Sequence, residues 1–323
     1  SIQKAIAVSP ENPDLYIFLG NFYQRFARYD EAETTYQEAL KKTDKPNDIK
    51  AIIADSHFEQ RKIEQAETEV DAILQDNDKH PLANLVKVKL LLFNGKNSEA
   101  LAILDVLLKE NPNWGQAHYY KALAHFDRME LEMLNASINE ALKLMPNDTK
   151  AHTLKARQLF MQRDFPGAKE EAKTALKLMS NNFTAALVLG QAQFASKEYD
   201  EAQNTARVLV KFQPDNLEAL RLEGRTQMAL KQTDEAIQTF ERILVKVPEN
   251  TPALAAMAEI YLSREDRVGA IKRVQKQTEI QPDNAGNLML LGNLYMQDNR
   301  LEEALSLFRK VQKIAPQAPQ PYL

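Results

Sequence analysis

The stretch LEALRLEGRTQMALKQTDEAIQTFERILVKVPEN, residues 217–250, decides the fold. Apolar residues recur in it at helical spacing on both sides of KQTD, which predicts two amphipathic helices joined by a short turn. Gly224 and Ala236 are small, and this lets the two helix backbones approach closely. Pro248 ends the second helix, and Asn250 supplies a polar start for another helix.

This unit recurs along the chain with a period of 34 residues. Stepping by 34 from Ala32 finds alanine at eight of nine places, and a second series, offset by twelve, is glycine or alanine except at Val88. A fixed period of this length indicates a repeat architecture. The register runs from 13 to 318 and predicts nine repeats, which start at residues 13, 47, 81, 115, 149, 183, 217, 251 and 285.

The two ends of the chain match incomplete repeats. Residues 1–12 correspond to the end of a second helix, and residues 319–323 correspond to the start of a tenth repeat. Repeat arrays need polar capping units at their ends, and neither end has one. We therefore expect a fragment of a longer array. The alternative is that the ends are natural and are covered by contacts between copies.

The pattern resembles the tetratricopeptide repeat, W-x2-L-G-x2-Y…A-x3-F…P over 34 residues. The last full repeat matches at Leu288, Leu291, Gly292, Tyr295, Ala304, Phe308 and Pro316. The resemblance covers essentially the whole chain. It implies an all-α fold, an α-solenoid of stacked helix–turn–helix units that forms a right-handed superhelix. The chain is also loosely similar to long bacterial proteins of this family, including envelope lipoproteins.

Composition narrows the classes of function. The chain has 41 basic and 45 acidic residues, and a net charge of −4 argues against a nucleic-acid partner or an anionic membrane surface. No apolar run approaches the roughly 18 residues of a membrane span, so we expect no direct membrane insertion by this segment. The compartment stays open between the cytoplasm and the bacterial periplasm or envelope, since a targeting signal could lie outside the sequence.

The sequence contains no recognisable catalytic or metal motif. Phosphate loops and the H-E-x-x-H pattern are missing, and without cysteine there is no thiolate chemistry. His118 and His125 lie seven residues apart on one helix, about 10 Å, too far for one zinc ion. We predict no enzyme, no cofactor and no metal. Four histidines are at packing positions: His57, His118, His125 and His152. Whether they make the chain sensitive to pH is left open.

The resemblance implies that the first helix of each repeat lines a concave groove and that partners contact positions 2, 5, 9, 12 and 13. Position 12 is large and apolar in eight consecutive repeats, from Phe58 to Met296. Position 9 varies in polarity. The predicted partner-binding residues are Phe58, Lys89, Tyr119, Phe126, Lys150, Arg157, Phe160, Gln191, Phe194, Arg221, Arg225 and Met228.

Charge is unevenly distributed along this groove. Repeats one and two are acidic, and repeats five to seven are basic, which suits an extended or helical peptide held in one direction. We expect acidic groups of the partner near Arg157, Arg221 and Arg225. The sequence thus predicts a non-enzymatic scaffold that binds a protein or peptide. The alternatives are a substrate adaptor within a larger enzyme or secretion assembly, and a structural array that self-associates.

Overall fold

The computed structural model describes residues 2–316, which form nineteen α-helices and no strand. The chain divides into two compact units, Ser1–Gln158 (unit 1) and Leu159–Leu323 (unit 2). The helices up to the end of unit 1 are α1 (Ile2–Val8), α2 (Pro13–Arg25), α3 (Tyr29–Leu40), α4 (Pro46–Glu59), α5 (Ile63–Asp76), α6 (Pro81–Phe93), α7 (Asn97–Glu110), α8 (Gly115–Asp127), α9 (Leu131–Leu144) and α10 (Thr149–Met161), which continues into unit 2.

The remaining helices follow the same alternation. They are α11 (Phe165–Leu178), α12 (Phe183–Ala195), α13 (Tyr199–Phe212), α14 (Leu217–Ala229), α15 (Thr233–Lys246), α16 (Thr251–Ser263), α17 (Arg267–Ile280), α18 (Ala285–Gln297) and α19 (Leu301–Ile314). Within the described residues no helix is long and apolar enough to cross a membrane.

Neighbouring helices pack as antiparallel hairpins, and in several places the first helices of successive hairpins also touch. In unit 1, α4 contacts both α5 and α6; in unit 2, α14 contacts α12, α15 and α16. The predicted all-α fold of stacked helix–turn–helix units is confirmed. The division of residues 13–318 into nine repeats stays a prediction, and residues 317–323, with the predicted start of a tenth repeat, lie outside the described residues.

The turn inside each hairpin has one recurring backbone feature. A residue with φ between 56° and 71° follows every first helix at intervals of 34: Ala27, Arg61, Gly95, Met129, Arg163, Lys197, Lys231, Glu265 and Asn299. In the described part of the chain Gly95 alone among them is glycine. The left-handed conformation costs other residues about 1 kcal/mol each. Asn299 adopts this conformation readily, so packing of the two helices imposes the turn on seven unfavourable residues.

Close packing explains why the eighth residue of a repeat is glycine or alanine everywhere except at Val88. A Cβ atom built on Gly224 would lie 2.8 Å from the ring of Phe240 on the second helix of the same hairpin. Such a contact requires the ring to move. Ala236, also at this crossing, is fully buried. The sequence pattern predicted this close approach correctly.

Asparagine fixes the start of most first helices in unit 2. The side chain of Asn216 accepts hydrogen bonds from the backbone N–H groups of Glu218 and Ala219, both at 3.1 Å. Asn182, Asn250 and Asn284 cap α12, α16 and α18 in the same way. These caps satisfy N–H groups that have no partner inside the helix. They fix where α14 and its neighbours begin, and hence which residues share one face.

Candidate functional site

The candidate site is a cavity of about 570 Å³ in unit 2, which we call the α14 pocket. Its walls come from α12, α14, α15 and α16, and its lining residues are Phe194, Leu217, Glu218, Arg221, Arg225, Met228, Ala229, Phe240, Ile243, Asn250, Pro252, Ala253, Ala255, Ala256 and Glu259. The structure thus brings together four of the residues predicted to bind a partner: Phe194, Arg221, Arg225 and Met228.

Short side chains on one wall account for the space. Helix α16 lines the pocket with Ala253, Ala255 and Ala256, and α14 lines it with long residues such as Arg221 and Arg225. An alanine side chain fills little of the space between two neighbouring helices. The sequence predictions missed the residues of α16. They could have been found, because Pro252, Ala255 and Glu259 occupy positions 2, 5 and 9 of their repeat.

Arg225 is the cation best placed to meet a partner. Its guanidinium carbon lies 4.4 Å from the centroid of the Phe194 ring, and the residue is exposed. In the described part of the chain no carboxylate lies within ion-pair distance of Arg225. Stacking on an aromatic ring holds the guanidinium while its N–H edges stay available. Such an edge can take a carboxylate through two parallel hydrogen bonds.

Counted together with Arg225, the charges that line the α14 pocket sum to zero. Arg221 forms an ion pair with Glu218, one turn away on the same helix, and both side chains are about half exposed. Glu259 lines the pocket from α16 and is exposed. An exposed pair of this kind contributes little to stability. The pocket therefore combines an apolar wall with two guanidinium groups and two carboxylates.

A similar stack of arginine on phenylalanine exists in unit 1. The guanidinium carbon of Arg157 lies 4.1 Å from the ring centroid of Phe126, which is 9% exposed. Tyr119 lies beside it, and its own burial, together with Tyr120 and Asp148, raises its pKa, although Arg157 acts in the opposite direction. The Tyr119 hydroxyl is thus neutral at physiological pH and can act as a hydrogen-bond donor to a partner.

Lys89 occupies the corresponding place on α6, but it is enclosed. It is 8% exposed, forms an ion pair with Asp55, and lies 3.4 Å from Glu59. Its ammonium nitrogen is 5.8 Å from the centroid of Phe58 and 5.5 Å from that of Tyr120. We call these five residues the Lys89 cluster.

The electrostatics of the Lys89 cluster favour the charged lysine. Burial by itself lowers the pKa of Lys89, but Tyr120 and the carboxylates of Asp55 and Glu59 outweigh it and raise the pKa above its ordinary value. Lys150 of α10 adds a second cation, 3.8 Å from Glu59. Asp55 and Glu59, two of the acidic groups that the sequence places in repeat two, are therefore paired with lysines within unit 1.

The remaining predicted residues have no common site with these. The Phe160 ring packs against that of Phe165, with 5.7 Å between centroids, and Gln191 is partly exposed on α12. For all twelve residues, contact with a partner stays a prediction.

No histidine lines the α14 pocket. His57 is buried with Nδ1 2.8 Å from Glu69, and Nδ1 of His125 lies 2.6 Å from Glu130. His118 and His152 hydrogen-bond through Nε2 to the carbonyl oxygens of Pro112 and Pro146. Among residues 2–316 no group of three or more histidine or carboxylate side chains is placed to hold a metal ion. A pH response of these histidines stays a prediction.

Solved structures with the same fold support the architecture. A chain of the crystal structure of the APC/C hetero-tetramer Cut9-Hcn1 is 12% identical with a TM-score of 0.56, and the alignment covers 99% of this chain and 79% of that chain. The PilF protein of Pseudomonas aeruginosa is 20% identical with a TM-score of 0.50, over 63% of this chain and 93% of that one. At these identities the likeness shows the fold alone.

Sequence comparison gives the family. No curated protein matches the chain. The family model described as tetratricopeptide repeat matches residues 2–56, 57–126, 159–225, 227–285 and 261–322, which together make up most of the sequence. Proteins of this kind are generally scaffolds for protein–protein interaction. The chain belongs to the tetratricopeptide repeat family.

Proposed function

We propose that this chain binds a segment of a partner protein in the α14 pocket and has no enzymatic activity of its own. One observation carries the proposal: Arg225 is held on the ring of Phe194, exposed and without a carboxylate partner in the described residues, at the edge of a cavity with an apolar wall. A cation in this state is ready for an anionic group, since no internal ion pair has to break first.

The apolar wall supplies the second half of the recognition. Met228 and Phe194 face Ala255 and Ala256 across a space of about 570 Å³, which is enough for one or two large side chains of a peptide. Methionine adapts to ligands of different shape because its side chain is flexible and polarizable. We infer a segment that carries an apolar residue next to an aspartate, a glutamate or a C-terminal carboxylate.

Arg221 takes a supporting part in this proposal. Its exposed pair with Glu218 is weak, so the guanidinium can turn toward a carboxylate of the partner at little cost. Glu218 and Glu259 disfavour segments with several acidic residues in a row, because those would bring like charges together. The preferred segment therefore has one acidic group beside its apolar anchor.

A displayed library of random 12-residue peptides tests the proposal directly. We expect selection on the wild-type chain to enrich an acidic residue adjacent to Leu, Ile, Met or Phe. The selected peptides should lose at least tenfold in affinity with Arg221→Glu/Arg225→Glu, and the loss should shrink as salt is raised. Fluorescence anisotropy with one labelled peptide gives these affinities.

The matched control reverses two positive charges elsewhere in unit 2. Lys211 on α13 and Lys276 on α17 are exposed and lie outside the α14 pocket. Lys211→Glu/Lys276→Glu makes the same change in net charge and should leave the affinity within about twofold, since the charges are distant and screened. Equal losses in both double variants, or no loss in either, would show that the α14 pocket is not the binding site.

A further inference from the structure

A second cavity, of about 530 Å³, lies in unit 1 where α7 ends and α8 begins, and we call it the Trp114 pocket. Its walls come from Pro81 and Leu82 at the start of α6 and from residues 110–114. None of these residues lines the α14 pocket, and none is among the residues predicted to contact a partner. The Trp114 pocket is therefore a separate feature that the proposed function does not use.

Trp114 occupies a position that elsewhere in the chain caps a helix. Of the eight residues at intervals of 34 from it, one is Pro46, and the other seven accept a hydrogen bond from the backbone of the following helix: Asn12, His80, Asp148, Asn182, Asn216, Asn250 and Asn284. The indole can only donate a hydrogen bond, and α8 begins without a side-chain cap. A tryptophan here gives up a stabilising contact, which points to another use for its ring.

The carboxylate that lines the pocket has no internal partner. At the preceding junction the side chain of Asn47 donates a hydrogen bond of 2.8 Å to Asp76. The equivalent residues one period later are Pro81 and Glu110, and a proline side chain has no donor. Glu110 is exposed and forms no ion pair or side-chain hydrogen bond within residues 2–316. A bond that closes one junction is thus replaced at the next by an open space and a free carboxylate.

The junction that follows is filled by side chains. Gly115 and Met145 are the equivalents of Pro81 and Asn111, and a Cβ atom built on Gly115 would lie 2.6 Å from the Met145 side chain. In the Trp114 pocket the shorter and polar Asn111 stands in the place of this methionine. The opening therefore results from the residues of one junction and is no general property of the repeat.

The segment between α7 and α8 is held in place before any ligand arrives. The backbone N–H of Trp114 donates to the carbonyl oxygen of Asn111 at 3.2 Å, and Nε2 of His118 hydrogen-bonds to the carbonyl oxygen of Pro112 at 2.8 Å. The half-buried ring of Trp114 also packs against the core formed by α6 and α7. A site that is already ordered loses little conformational freedom on binding.

We propose that the Trp114 pocket binds an arginine side chain of a partner protein. The guanidinium stacks on the ring of Trp114 and forms two parallel hydrogen bonds with the carboxylate of Glu110. The aliphatic part of the arginine covers Pro81, and the side-chain oxygens of Asn111 and Asn113 accept its remaining N–H groups. Arginine fits better than lysine, because a planar guanidinium can stack on a ring and bond a carboxylate at the same time. The proposal does not rest on the α14 pocket, which lies in unit 2 and takes an anionic group.

Trp114 is the only tryptophan of the chain, so selectively excited tryptophan emission reports on this pocket. The probe is Nα-acetyl-arginine methylamide, titrated to about 100 mM at constant ionic strength, and the neutral comparison is the corresponding citrulline compound. We expect a saturable change with a dissociation constant in the millimolar range, and binding of the citrulline compound weaker by about tenfold or more. No saturable change, or equal binding of both compounds, would overturn the proposal.

Replacement of Glu110 tests the charge without changing the shape of the pocket. Glu110→Gln should weaken binding of the arginine compound by about fivefold or more. The matched control is Glu132→Gln, which removes an exposed carboxylate of α9 outside the pocket and should change the affinity by less than about twofold. Equal effects of the two substitutions would show that Glu110 does not hold the guanidinium.

Saturation transfer from the protein to the arginine compound, measured by NMR, gives a signal that does not depend on tryptophan. Trp114→Asn should keep its helical circular dichroism and lose the transfer, because the stacking surface is gone. Free L-arginine carries the same guanidinium and should bind no more tightly than the blocked compound if the pocket takes a side chain of a protein. Normal binding by Trp114→Asn, or a clear preference for the free amino acid, would overturn the assignment.

Discussion

Helices α6 and α14 are equivalent elements, four periods of 34 residues apart. Each carries a cation at position 9 of its repeat, but the two cations have opposite surroundings. Lys89 on α6 is buried and neutralised by Asp55 and Glu59. Arg225 on α14 is exposed, stacked on Phe194, and has no carboxylate partner in the described residues. One cation stabilises the fold of unit 1, and the other is left available beside a cavity in unit 2.

The difference originates in the helix one period earlier. The neighbours of Lys89 on α4 are Asp55 and Glu59, and the corresponding residues on α12, which precedes Arg225, are Gln191 and Ala195. Both cations also lie over the phenylalanine at position 12 of that earlier helix, Phe58 or Phe194. Two carboxylates thus decide whether the same cation on phenylalanine is an internal contact or a free one.

The largest effect on the free energy of unfolding should appear when each of the two cations is replaced singly and the two losses are compared. Lys89→Met leaves Asp55 and Glu59 without their buried partner, and we expect a loss of about 2 kcal/mol, below the ~3–5 kcal/mol of a fully buried pair because the carboxylates are partly exposed. Arg225→Met should change stability by less than about 0.5 kcal/mol. Urea unfolding, with hydrogen exchange of α4 and α6, measures both. Equal losses would contradict the assignment.

A transplant of carboxylates tests the origin of the difference. Gln191→Asp/Ala195→Glu should give Arg225 the surroundings of Lys89 and lower the affinity for a selected peptide by about tenfold, because an internal pair then competes with the partner. The uncharged control Gln191→Asn/Ala195→Gln should bind like the wild type. Anisotropy titrations compare the two. A charged variant that binds as well as its control would show that the carboxylates are not decisive.

The turns that follow α6 and α14 offer a smaller contrast in the same two regions. Gly95 has φ 71° and Lys231 has φ 60°, so both residues are in the left-handed conformation. Glycine adopts this conformation without strain, and lysine does not. Gly95→Ala should lower the free energy of unfolding by about 1 kcal/mol, and Lys231→Gly should raise it by up to ~1 kcal/mol. Thermal unfolding monitored by circular dichroism tests the signs. A stabilising Gly95→Ala would contradict this account of the turn.

The smallest expected effect on stability concerns position 7 of the two repeats, which lies on α6 and on α14. Lys87 on α6 lies 2.8 Å from Asp71, whereas Glu223 on α14 is 9% exposed with Arg242 no closer than 3.8 Å. Burial raises the pKa of Glu223 above its ordinary 4.5, although Arg242 and Arg207 act against this. The ionised carboxylate therefore destabilises the folded chain at neutral pH.

Glu223→Gln removes this penalty. We expect it to stabilise the chain by about 0.5 kcal/mol at pH 7, and the gain should vanish as the pH falls below about 4.5, where the wild-type carboxyl is protonated in both states. Urea unfolding at several pH values measures the difference between the two proteins. A gain that persists or grows at low pH would contradict a raised pKa.

The sequence predicted the helices of this fold well, because small residues, proline and asparagine caps recur at one fixed period. It also placed Phe194, Arg221, Arg225 and Met228 in one predicted groove, and all four line the α14 pocket, although their contact with a partner stays a prediction. It could not distinguish Lys89 from Arg225. Their difference depends on contacts with Asp55 and Glu59, and these become visible only when the neighbouring helices are in place.

The most direct test of the central claim compares Lys89 and Arg225 in one assay. A single labelled peptide, selected on the wild-type chain, is titrated with the wild type, Lys89→Met and Arg225→Met at a temperature where all three are folded. The account predicts a loss of tenfold or more for Arg225→Met and less than about twofold for Lys89→Met. A loss for Lys89→Met as large as that for Arg225→Met, or no loss for Arg225→Met, would contradict it.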